Sequence, residues 1–181
     1  MFKLAKDARI LDMLANHPAI FPHIAPKGHE EELSFGVCFM PERVERIRFY
    51  HNGAHDADMG ATIGMLFDWS SPEVWALHML ARPEARGGGA MQFAAAVIAD
   101  MFERDAKEIW GETPVENERA RAMHRKVGGI SRGFGTSPMM GKVELFSTPK
   151  ADWRSPFEPK YSMQEQVIPV PEPPLVPEPQ A

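Results

Sequence analysis

Leu80-Ala81-Arg82-Pro83-Glu84-Ala85-Arg86-Gly87-Gly88-Gly89-Ala90-Met91 is the stretch on which the fold turns. It joins two kinds of pattern. Before it, VWALHML (74–80) is a short apolar run bounded by the turn SSPE, and reads as a strand. After it, MQFAAAVIADMFERDA (91–106) places Met91, Ala94, Val97, Ile98, Met101 and Phe102 on one helical stripe. The bend therefore lies where a strand gives way to a helix N-terminus. A first helical turn has unpaired amides and the positive end of the helix dipole. Three glycines let a ligand approach the backbone closely, and Arg86 adds a guanidinium suited to bidentate contact. Such a junction favours a phosphate or diphosphate. It is not a Walker loop, because no Gly-Lys-Ser/Thr follows, and it lacks the Gly-x-Gly-x-x-Gly of a dinucleotide fingerprint. The plainer reading is a flexible connection that holds nothing.

Working outward, LSFGVCF (33–39), RVERIRFY (43–50) and ATIGMLFDW (61–69) read as strands joined by turns. Residues 3–16 carry Leu4, Ala8, Leu11 and Ala15 at helical spacing and read as one helix stopped by Pro18. KEIWGETP (107–114) is a further strand. Asn117 is placed to cap the helix ERARAMHRKV (118–127), and Gly128-Gly129 to end it. In that helix Ala120, Met123 and Val127 form the apolar side. ISRGFG (130–135) and KVELFSTP (142–149) close the domain. Strand–helix–strand–helix from Val74 to Gly129 implies one parallel pair within a mostly antiparallel sheet.

The chain has 181 residues, with 20 Lys plus Arg against 25 Asp plus Glu, a formal charge of −5. That mild acidity argues against direct nucleic-acid binding. No apolar run approaches the ~18 residues of a membrane span, and no secretory signal is evident at the N-terminus. The single cysteine, Cys38, excludes an intramolecular disulfide framework and fits a cytoplasmic setting. His51, His55, Asp56 and Asp58 lie in HNGAHDAD, where Asn52-Gly53 signals a turn; they read as a solvated loop, and no metal site is expected. Six of the 17 prolines fall in the last 14 residues, which can form neither helix nor central strand. The expected organisation is a domain over 1–153 and an extended Pro-rich arm over 154–181. Trp153, Phe157, Tyr161, Ile168, Val170, Leu175 and Val176 make that end apolar enough to dock on a protein partner.

The run Arg82-Pro83-Glu84-Ala85-Arg86-Gly87-Gly88-Gly89-Ala90, followed by a long helix, a short strand and Asn117-x-x-Ala120-x-x-Met123-His124-x-x-x-Gly128-Gly129, resembles the core of the GNAT N-acetyltransferase superfamily. The resemblance covers about 50 residues, from Leu77 to Gly129. It implies an α/β fold with a mixed, mostly antiparallel sheet flanked by helices. A narrower resemblance, in Ile10-Leu11-x-x-Leu14-x-Asn16-His17-Pro18 and the His of WALHML, is to GNAT-like proteins of tailed bacteriophages, some of them virion components.

The resemblance implies acetyl-CoA as co-substrate and an amine as acceptor. The diphosphate would be held by the amides around Arg86, Gly87, Gly88, Gly89, Ala90 and Met91. The backbone of Leu80 and Ala81 would pair with the pantetheine arm, and Asn117 would contact the cofactor. His78 is then the expected base, with Glu112 second, and His124 stands where the family's tyrosine acid would be. Three positions depart from the family: Met91 replaces a small loop residue, His124 replaces tyrosine, and Gly129 replaces phenylalanine. On the plainer reading His78 is a strand histidine with a satisfied hydrogen bond, His124 a surface residue, and Glu112 the end of a strand. Two functions follow: an acetyl-CoA-dependent N-acetyltransferase, or a non-catalytic virion scaffold anchored by its tail, with localisation in the cytoplasm or the virion accordingly.

Overall fold

The computed structural model describes residues 2–26, 28–53 and 60–157. His55, Asp56, Asp58 and the arm from Glu158 onward lie outside the described residues. Among the described residues seven strands form one sheet: β1 (Lys3–Leu4), β2 (Ile47–His51), β3 (Ile63–Ser71), β4 (Val74–Ala81), β5 (Glu108–Pro114), β6 (Ile130–Ser137) and β7 (Gly141–Pro149). Their order is β1-β2-β3-β4-β5-β7-β6. Every neighbouring pair is antiparallel except β4–β5, which is parallel. The helices are α1 (Arg9–Ala15), α2 (Phe21–Ile24), α3 (Gly88–Arg104) and α4 (Glu118–Lys126). This is the mixed α/β architecture that the sequence implies. Among the described residues no helix is long and apolar enough to cross a membrane.

Alternation along the strands divides the core in two. In β2, Tyr50 joins Phe67, Trp75 and Leu77 beneath α3, where Phe93, Val97, Ile98 and Met101 meet them. Its neighbour Phe49 points to the other face and packs with Leu80 under Ile10, Leu11 and Leu14 of α1. Burying each such side chain stabilises by about 1.5–3 kcal/mol. Polar ties set α3 against the sheet. Tyr50 donates to Asp100 at 2.7 Å, and Arg48 grips Asp105 at 2.6 and 2.7 Å while lying 4.2 Å over the Trp75 ring. Burial and the Asp100 carboxylate push the Tyr50 hydroxyl pKa up. Gly64 lets α1 approach: a Cβ there would lie 2.5 Å from the Phe49 ring and 2.9 Å from Leu14 Cδ1.

Three local expectations are corrected. The helix expected over 3–16 begins only at Arg9, because Lys3 and Leu4 pair with His51 and Tyr50 as an edge strand. Asp7 then accepts from the Arg9 amide at 3.0 Å and opens the helix. LSFGVCF is not a strand. Asn16 holds both backbone groups of Leu33, at 2.7 Å each, and Asp12 takes the Phe35 amide at 2.7 Å. The segment is thus fastened to α1, and Gly36–Phe39 turns as a 3₁₀ helix. The strand expected from Arg43 starts at Ile47, after a 3₁₀ turn over Val44–Arg46.

Trp153 and Phe157 pack against the domain's own core. The Trp153 indole donates to Val127 O at 2.8 Å and meets Phe102 edge-on at 5.4 Å. A Cβ on Gly128 (φ +95°) would fall 2.7 Å from the indole, so the residue that ends α4 also admits Trp153.

Candidate active site

The site is built on the one parallel pair. β4 and β5 are joined at Val74–Glu108, Trp75–Ile109 and Ala76–Trp110, and no further. Beyond Ala76, β4 runs on to Ala81 paired only with β3, and β5 runs on to Pro114 paired only with β7. Two adjacent strands thus part in mid-sheet and leave a wedge whose walls carry free edge groups.

His124 stands at the apex of that wedge. A Cβ on Gly111, the first β5 residue past the last pair, would lie 2.9 Å from His124 Cε1 and 3.4 Å from Leu77 O. Glycine at 111 is therefore what lets the imidazole in. Phe146, opposite Gly111 on β7, is its floor: the rings stack 4.7 Å apart and 5° from parallel. His124 is 8% exposed, so its reading as a surface residue is corrected. It is the side chain of α4 that faces inward. Burial pulls its pKa down to about 4, with Glu144 opposing and Arg125 assisting. The ring is neutral at pH 7.

A carboxylate clamps α4 in place. Glu144, 1% exposed, takes Arg121 Nε and Arg125 Nη2 at 2.5 Å each. Hydrogen bonding from Ser131 first, and then from the two guanidiniums, holds its pKa at about 2. Arg121 and Arg125 sit one helical turn apart, so a single anion fixes both the position and the rotation of the helix.

The glycine bend supplies the wedge's other end. Gly87 adopts φ +116° before α3, a conformation that suits glycine alone. Among the described residues the amides of Gly87, Gly88, Gly89 and Ala90 make no hydrogen bond, while the Arg86 amide bonds Pro83 O at 3.3 Å and the Met91 amide bonds Gly87 O at 3.2 Å. Cβ positions on Gly87 and Gly88 meet nothing within 4 Å. The Met91 side chain packs toward the core and does not plug the loop. Four amides at a helix start with no partner among the described residues form a cradle of the right chemistry for a diphosphate.

The remaining expected residues divide. Arg86 folds back, its Nε donating to Ala81 O at 3.3 Å and its Nη2 to Ala19 O at 3.5 Å. One carbonyl expected for the pantetheine arm is thus already engaged. The Leu80 side chain is buried beneath α1. Asn117 Oδ1 accepts from the Ala120 amide at 3.1 Å as the helix cap, which leaves its NH₂ group for other contacts. His78 and Glu112 each lie two residues past the last β4–β5 pair and so flank the wedge on the α1 side of the sheet. His78 reaches solvent; the protein around it lowers its pKa, while Asp68 and Glu112 pull it up. Glu112 Oε1 accepts from Ser137 at 3.1 Å.

Sequence reasoning missed Gly111, Phe146, Glu144 and Asp68. The available signal was Glu144 itself, an acid within the apolar strand KVELF, with Arg121 and Arg125 at helical spacing to meet it.

Similar architectures exist among solved structures. A mutant of the spermidine N-acetyltransferase SpeG from Vibrio cholerae shares 12% identity over 83% of this chain and 95% of its own, with a TM-score of 0.63. AAC(6′)-Ib in complex with paromomycin and acetyl-CoA shares 15% over 83% and 94%, with a TM-score of 0.62. The ribosomal-protein-S5-alanine acetyltransferase from Vibrio fischeri shares 16% over 84% and 94%, with a TM-score of 0.61. At such identities the likeness is one of fold. No curated protein matches the sequence. The profile of the acetyltransferase (GNAT) family matches residues 17–129, more than half of the chain and the whole of the strand–helix–strand–helix unit around the wedge. The chain belongs to the acetyltransferase (GNAT) family.

Proposed function

We propose that the protein is an acetyl-CoA-dependent N-acetyltransferase. The observation that carries this reading is the wedge between β4 and β5, with the four free amides of residues 87–90 near one end and His124 at its apex. The cradle takes the diphosphate of acetyl-CoA, and the free edges of β4 and β5 take the pantetheine arm, so that the thioester arrives near His124. An amine entering from the α1 side as its ammonium loses a proton to His78, whose lowering by burial Asp68 and Glu112 partly offset. Its nitrogen attacks the thioester carbonyl; a C–N bond forms, the C–S bond breaks with its electron pair leaving on sulfur, and the proton that the nitrogen then sheds passes to that sulfur. The neutral imidazole of His124 donates a hydrogen bond to the departing thiolate. Acetyl-CoA in the complex of one structural neighbour, and amine acceptors in the names of others, support the same chemistry.

The test is release of free CoA thiol from acetyl-CoA in the presence of a panel of primary amines. Turnover with at least one amine, abolished in His78→Ala, is expected. A protein that binds acetyl-CoA yet transfers to no amine, with or without His78, contradicts the assignment. The scaffold reading drew on the resemblance to phage proteins and on the arm over 154–181; neither the similar structures nor the arm's described part, residues 154–157, favours it. A partner for the arm is tested by deleting residues 158–181: acetyl-CoA binding is expected to persist while any protein association is lost.

A further inference from the structure

The arginines that brace this fold are paired: Arg48 with Asp105, Arg104 with Asp100, Arg121 and Arg125 with Glu144. Among the described residues, two arginines beside the glycine bend have no such partner. Arg82 follows β4, and its amide is anchored to Thr62 O at 2.9 Å. Its side chain turns to the α1 side of the sheet, where Nη2 meets the Met13 sulfur at 3.2 Å. A thioether is a weak acceptor. The Arg82 Nε is buried and has no hydrogen-bond partner among the described residues. Arg86, four residues on, donates only to the carbonyls of Ala81 and Ala19. Among the described residues neither guanidinium has a carboxylate within 4.0 Å. A partly desolvated cation without a counter-charge is costly to keep. An oxyanion drawn to the guanidinium would relieve that cost, and the planar fork of arginine suits carboxylate and phosphate alike.

We propose that Arg82, with Arg86 beside it, seats an oxyanion carried by the acceptor. The acceptor is then an amine that also bears a carboxylate or a phosphate, and not a simple polycation. This rests on the acetyltransferase reading. Placement assigns the seat to the acceptor and not to the nucleotide. The cradle amides belong to α3, which packs on one face of the sheet. Arg82 touches α1, which packs on the other, the face that carries His78 and Glu112. His78 and Arg82 stand four residues apart along β4, roughly 13 Å at strand rise, a span that the long arginine side chain shortens. An acceptor with its amine at His78 and its acidic group near Arg82 fits that spacing.

The experiment compares matched acceptors on the full chain: glucosamine 6-phosphate against glucosamine, and 6-aminohexanoate against 1,6-diaminohexane. Wild type is expected to favour the anionic member of at least one pair by about tenfold or more in kcat/KM, the scale of a charge-assisted contact. Arg82→Gln should erase that preference with the KM for acetyl-CoA unchanged, and Arg82→Lys should restore part of it. Equal rates within both pairs, or preference for the diamine, overturn the proposal. A raised KM for acetyl-CoA with unaltered acceptor preference also overturns it, because the seat would then serve CoA. A second readout needs no turnover. Glucosamine 6-phosphate, and not glucosamine, should raise the Tm of wild type and fail to raise that of a folded Arg82→Gln protein. If acetyl-CoA does not bind, the transferase reading falls alone; if neither sugar shifts the wild-type Tm and no anionic acceptor is preferred, the seat falls.

Discussion

His124 lies flat on Phe146, the two rings 4.7 Å apart and 5° from parallel. The stack is possible because Gly111, directly across from Phe146, has no side chain to contest the space. A residue that the helical pattern placed outward is thereby pressed into the mouth of the wedge.

Replacing Gly111 by alanine puts a methyl group 2.9 Å from His124 Cε1. The imidazole must move. Gly111→Ala is expected to lower kcat by about tenfold or more, as small displacements of reacting groups do, with little change in the KM for acetyl-CoA. Steady-state rates at saturating acetyl-CoA check this; an unchanged kcat would remove His124 from the reaction.

The buried imidazole also leaves a mark on stability. Its folded pKa is about 4, below the ordinary value of 6.5. Above pH 6.5 both folded and unfolded states hold it neutral. As pH falls from 6.5 toward 4 only the unfolded chain gains the proton, so stability is lost across that window, by about 3 kcal/mol from this group. Urea melts from pH 7 to pH 4 should show a smaller loss in His124→Phe than in wild type. Parallel losses would mean that the ring is not buried as described.

Glu144 titrates the other way. Its folded pKa of about 2 lies below the usual 4.5, so its contribution is present above pH 4.5 and disappears as pH falls toward 2. Glu144→Gln leaves Arg121 and Arg125 facing a neutral group and frees α4 to rotate. A Tm lower by several degrees at pH 7, converging on wild type near pH 2, is expected in thermal melts. A constant difference at all pH values would contradict the clamp.

Gly64 tests the other face. A Cβ there would enter the Phe49 ring at 2.5 Å and touch Leu14. Gly64→Ala should cost about 1–3 kcal/mol, the scale of overpacking a filled core. Chemical denaturation measures it; a neutral result would mean that α1 is held more loosely than its contacts imply.

The strands and helices from Val74 to Pro149 were legible because each segment there carries one period only and is punctuated by glycine, proline or a cap. Asn117 and Gly128 act as read, at the two ends of α4. The first third of the chain was not. LSFGVCF has strand composition, yet Asn16 and Asp12 of α1 capture its backbone, and no local pattern announces a side chain fastening a segment seventeen or twenty-three positions away. The same holds for the site. The glycine bend could be found by eye, whereas the burial of His124 depends on a missing side chain on β5 and an aromatic ring on β7. Both are tertiary facts, and both override the helix face that Ala120, Met123 and Val127 define in the sequence.

Titration of acetyl-CoA into the wild-type protein and into Gly89→Glu, followed by calorimetry, bears on the cradle at residues 87–90. One site per chain with Kd of about 1–100 μM, typical of enzyme substrates, is predicted, weakened at least a hundredfold when a carboxylate faces the diphosphate. No heat of binding to wild type at millimolar acetyl-CoA, or equal affinity in the variant, would contradict it.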